Sequence, residues 1–361
     1  MRPRGVRRLT ARVTESKLFF PLVLLGLILV IDSVLLPGFF SIQARGWNLY
    51  GSLIDILRNA TTIMLLAIGM TLVIATGGVD LSVGAVMAIA ASVAALMMNP
   101  YVLAKELPPH LMRLISDPDF TFQPLWAVIV VTLLVAMLCG LWNGWLVAYV
   151  RIQPMVATLI LMIAGRGIAQ LITNGVRIQI FYEPYALIGQ GWAILPFSVY
   201  LVAIVYLGTW ALTRWTAIGM FIEAVGINAR ASFFSGINEK RIKLLAYVVC
   251  GLCAGLAGLV ASANIKTSDA NNIGLTYELD AILAVVIGGT VLGAGGRFSL
   301  LASLLGAIVM QAVTTSMYAL GVPAFALQAI KGLVVIVVIL VYSEQVRSLL
   351  RRLGTRAEAG P

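Results

Sequence analysis

Apolar positions along this chain come in long blocks parted by short polar stretches. The blocks cover 18–36, 60–76, 81–98, 124–150, 154–173, 193–213, 244–262, 279–292, 299–320 and 324–342. A helix needs about 20 apolar residues to cross the hydrocarbon core of a bilayer. The pattern therefore predicts about ten transmembrane helices, several of them short, and an all-α polytopic integral membrane protein with one transmembrane domain over 1–361. Two neighbouring pairs of blocks are interrupted by glycine. The first break is Gly77-Gly78-Val79-Asp80, and the second is GGTVLGAGGRF, which begins at Gly288 and Gly289. Irregular backbone at membrane depth is tolerated only when protein or a water-filled cavity surrounds it. Each break is thus either a tight turn at the membrane face or unwound backbone within it. The two broken pairs echo each other weakly in sequence, which leaves an internal repeat open.

Composition agrees with the blocks. Hydrophobic residues make up 60% of the 361 and charged residues only 11%, with a mean hydropathy of +0.99, against about 25% charged in an ordinary soluble domain. The net charge of +10 does not signal nucleic acid, because the cations lie at the ends and in short loops, as orientation signals do. Threading ten spans from a cytoplasmic N-terminus puts Arg2, Arg4, Arg7, Arg8, Arg12, Lys17, Arg151, Arg214, Arg230, Lys240, Arg241, Lys243, Arg297, Arg347, Arg351, Arg352 and Arg356 inside. Only Arg45, Arg58, Lys105, Arg113, Arg177 and Lys266 fall outside. The bias predicts both termini in the cytoplasm, with basic tails at 1–17 and 343–361. The charged start and following apolar run resemble a signal peptide, but no small-residue cleavage site follows, so an uncleaved first helix is expected.

The longest polar stretch between apolar blocks is a basic island at 214–243, placed in the cytoplasm by the same threading. No G-x-x-x-x-G-K-[ST] loop occurs to cradle a nucleotide. The island is thus a docking surface for another chain. His110, the one histidine, sits in a polar, proline-rich outer stretch from Met98 to Pro124. No catalytic triad, metal cluster or cofactor motif is in reach, so an enzyme is not expected. Cys250-x-x-Cys253 lies in an apolar run, where small residues at a helix contact explain it better than redox chemistry.

Polar residues inside spans cost free energy and need a reason. Arg166 and Lys331 either line a hydrophilic path or snorkel or form an internal ion pair. Asp32 lies toward the outer end of its span, within reach of water. Asp80 and Ser82 follow the first break, where either could cap the next helix. Asn143, Thr158, Gln170, Thr173, Asn174 and Gln311 supply amides and hydroxyls suited to a neutral, hydroxyl-rich cargo, or simply to interhelical packing.

Four stretches in order carry a family resemblance: LLAIGMTLVIATGGVDLSVGAVMAIA, GLWNGWLVAYVRIQPMVATL, AIGMFIEAVGINARASFFSGIN and GLTYELDAILAVVIGGTVLGAGGRF. Together they resemble permease subunits of bacterial sugar ABC importers of the ribose-type group, across roughly residues 50–340. The resemblance implies a permease of the bacterial inner membrane, moving a monosaccharide such as galactofuranose or a ribose- or galactose-like sugar. It implies as partners a cytoplasmic pair of ATP-binding subunits, a periplasmic sugar-binding protein and a second permease chain, identical or paralogous. On that basis Glu223 to Gly236 is expected to form a short coupling helix, with Asn228 and Ala231 within it and Gly226 and Gly236 as punctuation. Gly77, Gly78, Asp80, Gly288 and Gly289 would let helices move, and Asn143, Arg166, Gln170, Gln311 and Lys331 would line the path. The alternative is an ion-gradient-driven secondary transporter of a small polar solute. Such transporters place acidic relays deep in spans, whereas the cations Arg166 and Lys331 dominate here.

Overall fold

A helix that is apolar on every side has to be enclosed by other protein or by lipid, and the segment after Tyr50 takes the first course. In the computed structural model, helix α2 (Ser52–Ala75) is enclosed almost completely, with every residue from Ala60 to Ala75 buried. The structure describes residues 18–45, 48–99, 123–189, 194–293 and 295–342. The two basic tails, His110 and most of the 98–124 stretch lie outside the described residues.

The remaining helices follow in chain order around α2. They are α1 (Phe19–Leu35), α3 (Val83–Met98), α4 (Leu125–Trp145, continued by a π-helical turn at Leu146–Val150), α5 (Pro154–Ile172), the single turn α6 (Glu183–Ala186) and α7 (Phe197–Trp215). Two short helices come next, α8 (Ile218–Ile227) and α9 (Ala229–Phe234). Then come α10 (Glu239–Ile265), α11 (Tyr277–Ile287), α12 (Leu300–Ala319) and α13 (Ala324–Tyr342). Among the described residues there are also two small antiparallel ribbons: β1 (Gln43–Arg45) with β2 (Asn48–Tyr50), and β3 (Ile178–Gln179) with β4 (Thr267–Ser268).

Each of the ten apolar blocks falls on a helix, and among the described residues six helices are long and apolar enough to cross a membrane. α2 starts eight residues before its apolar block, because its first two turns carry Asp55 and Arg58 as an ion pair at 3.2 Å. α11 ends at Ile287, five residues before its block does, because Gly288 and Gly289 stop it. α4, α5 and α7 leave apolar side chains such as Leu138, Ile163 and Leu207 exposed, as lipid-facing helices do.

Small residues set the closest helix contacts. Gly140 of α4 faces Gly251 of α10, and a Cβ built on Gly251 would stand 2.9 Å from the Gly140 Cα. Gly69 of α2 packs so closely on α10 that a Cβ there would lie 2.7 Å from the Cys250 Cα and 3.1 Å from the Cys253 Cβ. The C-x-x-C pair is therefore a helix-contact surface, with both thiols free. Gly251→Leu is expected to force α4 and α10 apart and cost about 1–3 kcal/mol, the range for overpacking. A lowered thermal midpoint of the detergent-purified chain, with Gly332→Leu in open space as the neutral comparison, would register it.

Candidate functional site

The basic island folds as α8 and α9, joined at Asn228. Its backbone is extended there (φ −156°), its N–H closes α8 on the Ala224 carbonyl, and its side chain accepts from the Ala231 N–H at 2.9 Å to cap α9. The expected single helix from Glu223 to Gly236 is therefore two. Glu223 and Gly226 lie inside α8, and Ala231 is in the first turn of α9. Gly236 does punctuate: at φ +85° it donates to Phe233 while Ile237 donates to Ser232, a Schellman ending.

Gly226 has a different reason to be glycine. It is helical, and it marks a place where three backbones meet. A Cβ on Gly226 would run into the carbonyl oxygen of Ala75, at the end of α2, and into the amide nitrogen of Gly296, in the second break. Those two groups are themselves hydrogen-bonded, Gly296 donating to Ala75 at 2.8 Å. From the other side, a Cβ on Gly295 would stand 2.7 Å from the Gly226 Cα. The island thus touches, backbone to backbone, the end of α2 just before the first break and the second break itself.

The breaks are tight helix endings. Gly77 (φ +83°) donates to Ile74 and Gly78 to Val73, closing α2 with a Schellman motif. Gly289 (φ +76°) and Thr290 close α11 in the same way on Val286 and Val285. Asn174, Gly236 and Gly321 end other helices with this geometry too, so the likeness of the two breaks reflects helix-ending chemistry. Gly288 and Gly78 serve close approach. A Cβ on Gly288 would lie 2.6 Å from the Ser303 nitrogen of α12, and one on Gly78 2.7 Å from the Tyr247 hydroxyl.

Past Gly78 the chain is held by three helices. Tyr247 on α10 donates to the Val79 carbonyl at 3.2 Å, and Thr158 on α5 accepts from the Leu81 N–H at 3.1 Å. Asp80, 2% exposed, accepts from the backbone N–H and the hydroxyl of Ser82 at 2.9 and 2.7 Å. Asn143 on α4, fully buried, donates to the Ser82 hydroxyl at 2.7 Å. Asp80 is therefore not the cap of α3. Ser82 holds that position without a side-chain capping bond, and the carboxylate makes an Asx-type turn before it.

The residues expected along a path are dispersed. Arg166 donates to the Ala270 carbonyl at 3.3 Å and to the Ile273 carbonyl, and Gln170 donates to Asn271 at 2.7 Å, so both tie α5 to the loop before α11. In that loop the Asn272 side chain, with the Asn271 N–H and Arg177, holds the Asp269 carboxyl below its ordinary value. Gln311 bonds within α12 to Thr315 at 3.1 Å. Thr173 donates to Ala169, and Asn174 supplies the left-handed turn ending α5. Lys331 forms an ion pair with Asp280 at 2.8 Å, their side chains 17% and 8% exposed. Asp32 is not reached by water: at 1% exposure it accepts from Ser316 at 2.6 Å. Asp280 was not singled out from the sequence, although a carboxylate in the apolar run YELDAILAVV is itself a signal.

A recess of about 1110 Å³ opens on the face that carries α8 and α9. It reaches inward to Gly77, Gly78 and Tyr247 and is bounded by Arg151, Arg230 and the start of α10. None of Asn143, Arg166, Gln170, Gln311 or Lys331 lines it.

Residues 52–342 match the model of a family described as branched-chain amino acid transport system / permease component. The galactofuranose transporter permease protein of Escherichia coli K12 is 47% identical to this chain, covering 93% of it and 92% of the relative. The fructose import permease protein of Bifidobacterium longum is 35% identical over 94% of this chain and 91% of the relative. The ribose import permease protein of Escherichia coli K12 is 32% identical, over 89% and 92%. No solved structure matches the chain.

Proposed function

The chain belongs to the branched-chain amino acid transport system / permease component family, and from that premise we propose that it passes a monosaccharide, galactofuranose foremost, through the bacterial inner membrane. It is a multi-pass permease subunit of an ABC importer, working with ATP-binding and substrate-binding partners, and ATP hydrolysis belongs to the ATP-binding subunits. Galactofuranose is the cargo named for the 47% identical relative, and fructose and ribose are named for more distant ones.

The observation that carries the mechanism is the Gly226 contact. In our reading α8 and α9 face the cytoplasm and receive the ATP-binding subunit. Closure of that subunit presses on α8, and Gly226 passes the displacement directly to the end of α2 and to the second break. Side chains deform under load, whereas packed backbone moves as a unit. The positive-inside bias supports the orientation, with both termini in the cytoplasm. Arg151, Arg230, Lys240, Lys243 and Arg297 lie toward the island face, and Arg58, Arg177 and Lys266 lie toward the other. A second permease chain, identical or paralogous, completes the path. The dispersal of the polar candidates fits that arrangement, since one chain then supplies only half of the lining.

Ion-driven transport is the less favoured reading: Lys331 neutralises Asp280, Ser316 engages Asp32, and Ser82 engages Asp80. The test is uptake of labelled galactofuranose and ribose into proteoliposomes holding the full complex. Uptake that requires ATP and both partners, and that ignores ionophores, is the expected result. Uptake by this chain alone on an ion gradient would overturn the proposal.

A further inference from the structure

The recess on the island face holds more positive charge than a neutral cargo can use. Arg151, Arg230 and Lys240 line it, and none has a carboxylate within ion-pair distance among the described residues. Lys240 stands 5.5 Å from the centre of the Tyr149 ring. Glu239 is the carboxylate lining the recess, and it is engaged by Lys243 at 3.7 Å. α5 and α10 also begin at the space and bring the positive partial charge of helix starts, although Pro154 opens α5 without an N–H and the Asn238 side chain caps α10 by accepting from the Arg241 N–H at 3.2 Å. Gln153, before α5, makes no side-chain cap of its own.

The backbone around Arg151 is unusual as well. α4 ends in a π-helical turn at Leu146–Val150, and Arg151 follows in the left-handed conformation (φ 66°). Both features are uncommon for ordinary residues and concentrate at functional positions. Orientation in the membrane asks only that cations lie on the cytoplasmic side. It does not ask cations at 151, 230 and 240, from three separate elements, to converge on one recess.

We propose that this recess binds a phosphate group, carried by a phosphorylated small molecule in solution or by a phospholipid headgroup. Arg151 and Arg230 hold it by charge-assisted hydrogen bonds, and Lys240 adds a point charge. A bound phosphate bridges α9 to the α4–α5 turn across the mouth of the recess. The site stands on shape and charge alone, so a chain that failed to import sugar would still bind phosphate.

The test uses the full chain in phosphatidylcholine nanodiscs with ³²P-labelled inorganic phosphate. Saturable binding, displaced by ribose 5-phosphate and weakened at least about tenfold in Arg151→Gln/Arg230→Gln, is the expected result. Lys266→Gln, on the opposite face, should bind as the wild type does. If a headgroup is the source, nanodiscs containing phosphatidylglycerol will show that lipid enriched around the wild type but not the double variant, and phosphate will be excluded. Absence of both phosphate binding and lipid enrichment would overturn the proposal, as would binding unchanged in a folded double variant.

Discussion

Valine in place of Gly226 is expected to stop import in a chain that still inserts in the membrane. The two groups a new side chain would strike, the Ala75 carbonyl and the Gly296 amide, are backbone and are bonded to each other at 2.8 Å. Overpacking a core that can shift its side chains costs about 1–3 kcal/mol. Here no rotamer change relieves the clash, so α8 must lift away from α2 and from the second break. Lifting it removes the backbone contact by which, in our reading, the ATP-binding subunit moves the end of α2 and the second break. Each 1.4 kcal/mol is about a tenfold change in an equilibrium, so uptake should fall to less than about one-tenth. ATP hydrolysis should also cease to respond to the binding protein. Glu223→Gln in the same helix removes a charge without entering the contact, and should keep most activity. Membrane abundance and a monodisperse detergent extract separate uncoupling from misfolding. Normal uptake and normal stimulation in Gly226→Val would show that this contact transmits nothing.

How much of this was legible beforehand differs by level. The helices were, because the thickness of a bilayer imposes a length on apolar runs that no soluble core imposes. Boundaries were less so. The ion pair of Asp55 with Arg58 hid the first turns of α2, and the apolar Val291 and Leu292 carried the reading of α11 past the glycines that end it. The position of Gly226 was legible and its reason was not, since glycine serves a left-handed turn and a close backbone approach equally well. At Gly236 the first applies and at Gly226 the second, and only the neighbouring chain separates them. Side-chain partners were least legible. Arg166 meets carbonyls about a hundred residues away, and Ser316 meets Asp32 across most of the chain. Such pairings depend on which helices are neighbours, which periodicity within one helix does not encode.

Those pairings share a pattern. Asp32 with Ser316, Asn143 with Ser82, Arg166 with the 270–273 carbonyls, and Lys331 with Asp280 each join one element to another. In a lipid-facing bundle the hydrophobic effect does not select one helix neighbour over another, since acyl chains are as apolar as leucine. A few buried polar contacts can then fix which helix sits where. That gives them a structural purpose without any contact with cargo.

The Lys331–Asp280 pair puts this to the strongest test, because it bonds the outlying helix α13 to α11 in the protein interior. Removing one partner of a buried pair leaves an uncompensated charge, at a cost of about 3–5 kcal/mol. Lys331→Ala should therefore lower membrane abundance and the thermal midpoint in detergent, with α13 gaining hydrogen exchange before the rest. Asp280→Asn should do less harm, because the released ammonium can extend along its flexible stem toward water. The double change Lys331→Met/Asp280→Leu leaves no charge behind and should recover most of the lost stability, since apolar replacement of a buried pair is often neutral or better. If the pair only holds α13 in place, the recovered double variant also transports sugar. A stable double variant that cannot transport would instead give the charges a part in moving the cargo. Lys331→Ala as stable as the wild type would show that α13 is held by packing alone.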